Sequence, residues 1–84
     1  MNHFTLYIIY SRQIDKYYIG YTSDLEKRMK EHVSGISTYT SKATDWILKY
    51  TELFPERGQA MAREKEIKKK KSRSYIEWLV NKSK

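Results

Sequence analysis

Thr5-Leu6-Tyr7-Ile8-Ile9-Tyr10-Ser11 and Lys16-Tyr17-Tyr18-Ile19-Gly20 frame the short polar segment Arg12-Gln13-Ile14-Asp15. Both runs are rich in β-branched and aromatic residues, and the gap between them suits a turn, so this stretch predicts a β-hairpin. Tyr7 and Ile9 alternate with Ile8 and Tyr10, which sends one set to each face of the sheet. The remainder of the fold follows from what must cover those faces.

Ser23-Asp24-Leu25-Glu26 reads as an S-x-x-E capping box, with Asp24 favourable near a positive helix N-terminus. Leu25, Met29 and Val33 continue at helical spacing, and Gly35 is a natural stop. Residues 25, 28, 29 and 32 share one face of that helix, so Arg28 and His32 turn inward while Lys27, Lys30 and Glu31 point away. Ser34 to Asp45 is polar and rich in Ser and Thr, and reads as a loop whose Tyr39-Thr40-Ser41-Lys42 reaches toward a ligand. Trp46 to Phe54 predicts a third strand, broken by Pro55. A second helix is expected from about Arg57 to about Lys70, with Ala60, Glu64 and Ile67 on its apolar face and Met61 beside them. Ser74-Tyr75-Ile76-Glu77 is a second S-x-x-E box, opening a closing helix that packs Ile76, Leu79 and Val80 inward. The expected order is ββαβαα, an α+β fold with a small, three-stranded, mainly antiparallel sheet flanked by helices.

Composition narrows the function classes. The 84 residues fit one domain, 1–84, with a compact core to which eight tyrosines contribute heavily. The absence of cysteine excludes disulfides and thiolate zinc sites and fits a cytoplasmic location. No apolar run approaches the roughly 18 residues of a membrane span. The start, Met1-Asn2-His3-Phe4, lacks the pattern of a signal peptide. A net charge of +7 favours a polyanionic partner. The charge concentrates in Arg63 to Arg73, which holds seven Lys or Arg against two Glu. Such a block is often only a solvated helix face. Here it abuts Glu64, which suits contact with a phosphate backbone through Lys65, Lys68, Lys69 and Lys71.

Five residues carry the chemistry: Tyr7, Tyr18, Arg28, His32 and Glu64. A carboxylate can hold a divalent metal, cations can neutralise phosphate, and a phenol or imidazole can move a proton, so their convergence points to phosphodiester chemistry. Each has a plainer reading. Glu64 can pair with Lys68 one turn on, Arg28 can bridge a carboxylate, an inward His32 can be structural, and strand tyrosines can be core.

As an ordered set, these residues resemble the GIY-YIG endonuclease family along essentially the whole chain. Tyr18-Ile19-Gly20 matches literally, whereas Thr5-Leu6-Tyr7 keeps only the tyrosine of the other half. Ser23-Asp24-Leu25-Glu26-Lys27-Arg28 is similar to the family's helix opening with its essential arginine. Ala62-Arg63-Glu64-Lys65-Glu66-Ile67-Lys68 is similar to the segment bearing its metal-binding glutamate. Length, Arg28-Met29-Lys30-Glu31-His32 and Tyr39-Thr40 most resemble the small stand-alone bacterial members.

The resemblance implies a DNA endonuclease with one Mg²⁺ (or Mn²⁺) on Glu64. Arg28 would steady the pentacovalent phosphate, and Tyr7 would act as base or orient water, assisted by Tyr18 and His32. A base role for Tyr7 near neutral pH needs positive charge nearby. Some members place a lysine just after YIG, where this chain has Tyr21; Lys42 or the 68–71 run would supply that charge. Tyr39 and Lys42 join the basic residues as expected nucleic-acid contacts. DNA is the expected partner, with RNA as an alternative, a monomer or weak dimer the expected state, and specificity lying in DNA structure or supplied by a protein partner. A role in DNA repair or recombination is the family-level expectation. The competing function is a non-catalytic nucleic-acid-binding module on the same fold. A third is a protein-interaction module using Trp46 or Trp78.

Overall fold

The computed structural model describes residues 3–35 and 40–82. Strand β1 (Phe4–Ser11) and strand β2 (Lys16–Thr22) form the hairpin, followed by helix α1 (Leu25–Ser34) and a short 3-10 turn at Thr40–Lys42. Strand β3 (Ile47–Phe54), helix α2 (Arg57–Lys69) and helix α3 (Arg73–Lys82) complete the chain. The sheet runs β2-β1-β3 and is antiparallel at both pairings, so β1 is central. The ββαβαα order is therefore observed. Opposite Tyr7 lie Gly20 on β2 and Thr51 on β3. Between Ile8 and Ile9 the β3 register shifts by one residue, from Tyr50 to Leu48, and Lys49 bulges out of the ladder.

Strand alternation produces two cores. Leu6 and Ile8 pack with Ile19, Tyr50, Ile67, Leu79 and Val80, so α2 and α3 cover that face. On the opposite face Tyr7 and Ile9 pack with Ala43 and Trp46, and α1 adds Leu25 and Met29. Asp45 locks the hairpin turn to the segment before β3: its carboxylate accepts from Ser11 Oγ at 2.6 Å and from the Arg12 and Gln13 amides at 3.0 Å each. The Ser11 bond, followed by the amide donors, holds that carboxyl below the usual range.

Several local expectations need correction. The cap of α1 is Asp24, not Ser23: its side chain accepts from the Lys27 amide at 3.1 Å. Thr22 Oγ1 accepts from the Asp24 amide, turning the chain after β2 so that the helix begins one residue later. At α3 the cap is Ser72 rather than Ser74, because Ser72 Oγ accepts from the Tyr75 amide at 3.1 Å and Ser72 O from the Ile76 amide. Trp46 precedes β3 instead of starting it. Val33 is 43% exposed, since α1 leans on the sheet through positions 25, 29 and 32. Gly35 does end α1, at φ 81°.

Candidate active site

The site is built on Tyr7, at the middle of the central strand, where neighbours on both sides fix its backbone. Its ring lies across Gly20. A Cβ at that position would fall 2.7 Å from Tyr7 Oη and 2.9 Å from Cζ, so only glycine leaves room for the phenol. The hydroxyl lies 2.8 Å from His32 Nε2, and His32 Nδ1 lies 2.7 Å from Thr40 Oγ1. Tyr7, His32 and Thr40 are all buried. The Trp46 indole N–H donates to the Thr40 carbonyl at 2.9 Å and so anchors the far end of the chain of bonds.

Tyr18 stands edge-on to His32, with ring centroids 5.2 Å apart, and 6.4 Å from Tyr7. The Arg28 guanidinium donates to both phenols and bridges Glu31 at 2.8 Å. Glu31 therefore turns toward Arg28 rather than away from the sheet, as three residues on one helix allow. Glu64 is mostly covered on α2, paired with Lys68 at 3.1 Å. Its charge still reaches Tyr7. The Lys68 ammonium lies 6.0 Å above the Tyr18 ring.

Electrostatics qualify the expected chemistry. Burial pushes the Tyr7 phenol up to about 12, outweighing the opposing pull of the Arg28 hydrogen bond. His32 falls to about 4, first because it is buried and second because Arg28 repels a proton. Arg28 itself is held more firmly protonated by Glu31. At neutral pH the pair is thus a phenol against a neutral imidazole.

Of the expected nucleic-acid contacts, Lys68 adjoins the site. Lys42 ends the 3-10 turn, and Lys65, Lys69 and Lys71 are exposed along or just after α2. Tyr39 lies outside the described residues. Sequence reasoning marked Thr40 only as part of a ligand-facing loop and missed its bond to His32, and it missed the turn of Glu31 toward Arg28. Trp46 is buried and occupied with Thr40, which removes it as an interaction surface. Trp78 stacks on Tyr75 at 5.9 Å yet stays 55% exposed.

Among the described residues no group of three or more His, Cys, Asp or Glu gathers as a metal cage. A Mg²⁺-type site does not require one, since one or two carboxylates with water and substrate phosphate suffice. A hard oxygen donor at Glu64, whose charge reaches Tyr7, fits that requirement. Among the described residues no helix is long and apolar enough to cross a membrane.

This three-stranded fold sets phenols, a guanidinium and an imidazole about the middle of the central strand, with a carboxylate on α2 within electrostatic reach, a set suited to phosphodiester chemistry. Residues 3–77 match the GIY-YIG catalytic domain, and the chain belongs to that nuclease family. It is 43% identical over 53 residues to UPF0213 protein VNG_2274C of Halobacterium salinarum, covering 62% of this chain and 69% of the relative. UPF0213 protein YazA of Bacillus subtilis is 36% identical over 80 residues, covering 90% of this chain and 79% of its own. The solution NMR structure of UPF0213 protein BH0048 from Bacillus halodurans superposes with a TM-score of 0.57. It is 38% identical and covers 96% of this chain and 84% of that one. Those names state no activity, so the chemistry rests on the residues described above.

Proposed function

We propose that this protein is a metal-dependent endonuclease that hydrolyses DNA phosphodiester bonds. The observation that carries the reading is the buried Tyr7–His32–Thr40 chain opening onto Arg28, Tyr18 and Glu64. Glu64 would hold the divalent ion, Mg²⁺ or Mn²⁺, which when bound supplies Lewis-acid polarisation of the phosphate and stabilises the leaving oxygen.

The chain's own residues do the rest. Arg28 can only donate, so the Tyr7 oxygen accepts from it and directs its own proton to His32 Nε2. That fixes the imidazole as the Nδ1–H tautomer, donating to Thr40 Oγ1. With a phenol pushed up to about 12, Tyr7 works as a relay rather than as a standing phenolate. Water attacks phosphorus as it gives a proton to the Tyr7 oxygen, and the phenolic proton passes to His32 Nε2. The P–O3′ bond breaks and the leaving oxygen is protonated from solvent. Substrate phosphate beside the imidazole favours its cationic form and offsets the burial that holds it neutral. Arg28 and Lys68 balance the charge that builds on the phosphate.

The Lys68 ammonium on Glu64 favours one other reading, a phosphate-binding module that uses no metal. The test is cleavage of labelled duplex, branched and single-stranded DNA with Mg²⁺ or Mn²⁺, wild type beside Glu64→Ala and Arg28→Ala. Cleavage by wild type alone supports the nuclease, and a preference for branched DNA would tie it to repair or recombination. Salt-sensitive binding without cleavage by any of the three supports the module.

A further inference from the structure

A groove of about 620 Å³ lies beside β2, between that edge strand and the junction of α2 with α3. Its size falls within the roughly 300–1,000 Å³ of small-ligand sites. Ile67 and Ile76 give it an apolar floor and Tyr17 an aromatic wall. Lys71 lines it too, exposed and in the left-handed conformation just after α2. Most importantly, Tyr18 and Lys68 line the groove and also border the active site, so the two share a wall at the β2 edge.

We propose that this groove is a subsite for one unstacked nucleoside of the substrate strand, next to the phosphate being cut. The inference rests on the nuclease reading and names what that reading leaves open. An apolar slot with an aromatic wall accepts any base through its π-face, while cations at the mouth take the phosphates on either side. Arg73 is not among those cations, because two carboxylates, Asp15 and Glu77, already neutralise it, whereas Lys68 meets one, Glu64. The Tyr17 ring is held in place by Tyr10, with ring centroids 4.7 Å apart, and by the Arg73 guanidinium, 5.3 Å from its centroid. The best substrates then have a nucleotide free to leave its stack beside the scissile bond.

The probe is a set of labelled oligonucleotides, intact or with one base removed to leave an abasic sugar, moved position by position along the strand. Metal-free binding and Mg²⁺-dependent cleavage are both read. At one position next to the cut, base removal is expected to lower both by about tenfold in wild type, the scale of a single base–aromatic stack. The loss should vanish in Tyr17→Ala, and also in Ile76→Phe, which fills the slot; circular dichroism checks that each variant folds. If base removal changes neither binding nor cleavage at any position while the protein still cuts, the subsite is wrong and the nuclease stands. Position-specific binding loss without any cleavage keeps the subsite and removes the nuclease. Failure to bind any strand overturns both, whereas a tenfold loss that persists unchanged in both variants overturns the subsite alone.

Discussion

Tyr7 Oη and His32 Nε2 lie 2.8 Å apart, on residues 25 positions distant, with both side chains out of solvent. Nothing local brings them together. The central strand presents one and α1 the other, and the bond joins sheet to helix. Tyr7→Phe removes only the oxygen, leaving a buried imidazole nitrogen without its partner. The expected cost is about 1–3 kcal/mol of stability. Cleavage should fall by roughly 10²–10⁴-fold with little change in DNA affinity. Urea unfolding and single-turnover cleavage on the same preparations check both.

Thr40 is the next link, and its role is positioning rather than contact with substrate. Thr40→Val keeps the shape but leaves Nδ1 without an oxygen, whereas Thr40→Ser keeps one. The expected result is roughly tenfold slower cleavage for the valine variant and recovery in the serine variant. Nitrogen NMR of the His32 ring should show the tautomer well defined in wild type and mixed in Thr40→Val. Slower cleavage with an unchanged ring spectrum would mean that Thr40 acts in some other way.

The pH dependence of stability follows from His32. Its folded pKa, about 4, lies below the ordinary 6.5. Between those values the unfolded chain binds the proton and the folded protein does not. Stability is therefore fully present above about pH 6.5 and falls as the pH drops toward 4. The full span is worth up to roughly 3 kcal/mol. Urea midpoints at pH 7 and pH 4.5 should differ, and the His32→Gln variant should lose most of that difference. An equal slope in both proteins would assign it to other groups.

Gly20 explains the glycine that follows Tyr18-Ile19. Its φ is ordinary; the demand is for space, since a methyl group would meet the end of the Tyr7 ring at 2.7 Å. The Tyr7 side chain is 1% exposed and its ring has little room to yield. Gly20→Ala is expected to cost about 1–3 kcal/mol as an overpacked site and to slow cleavage by displacing the hydroxyl from His32. Alanine at the exposed Gly58, where nothing lies within 4 Å, is the matched control and should be neutral or mildly stabilising.

Periodicity made the fold readable. Alternation in Thr5–Ser11 assigned two faces to β1, and the helical spacing of Leu25 and Met29 aimed Arg28 and His32 at the sheet. The caps were misread because serine, threonine and aspartate compete for the same amides. At Thr22-Ser23-Asp24 and Ser72-Arg73-Ser74 the winner depends on how the chain leaves the preceding element. The role of Thr40 was not legible, because it comes from His32, eight residues away, and from the Trp46 indole that holds its carbonyl. The state of Tyr7 was also beyond the sequence. Arg28 does donate to it, but burial is a property of the assembled sheet and it prevails.

Glu64 and Lys68 give the last prediction. Their ion pair spans one helical turn, with Glu64 mostly covered and Lys68 half exposed. A pair of this kind contributes only about 0.3–0.5 kcal/mol, so Lys68→Ala should hardly change stability. It should change metal use. Removing the ammonium deprives the carboxylate of its competitor for a cation, so the Mg²⁺ concentration for half-maximal cleavage should fall severalfold. The same variant loses a phosphate contact, so DNA binding should weaken and its salt dependence become shallower by about one unit in the log–log slope. Glu64→Gln should instead abolish the metal response and leave the salt slope nearly unchanged. The two side chains touch, yet their variants should separate along the two axes of metal and salt. If Lys68→Ala and Glu64→Gln moved both quantities in the same direction, the carboxylate would be serving the lysine rather than an ion.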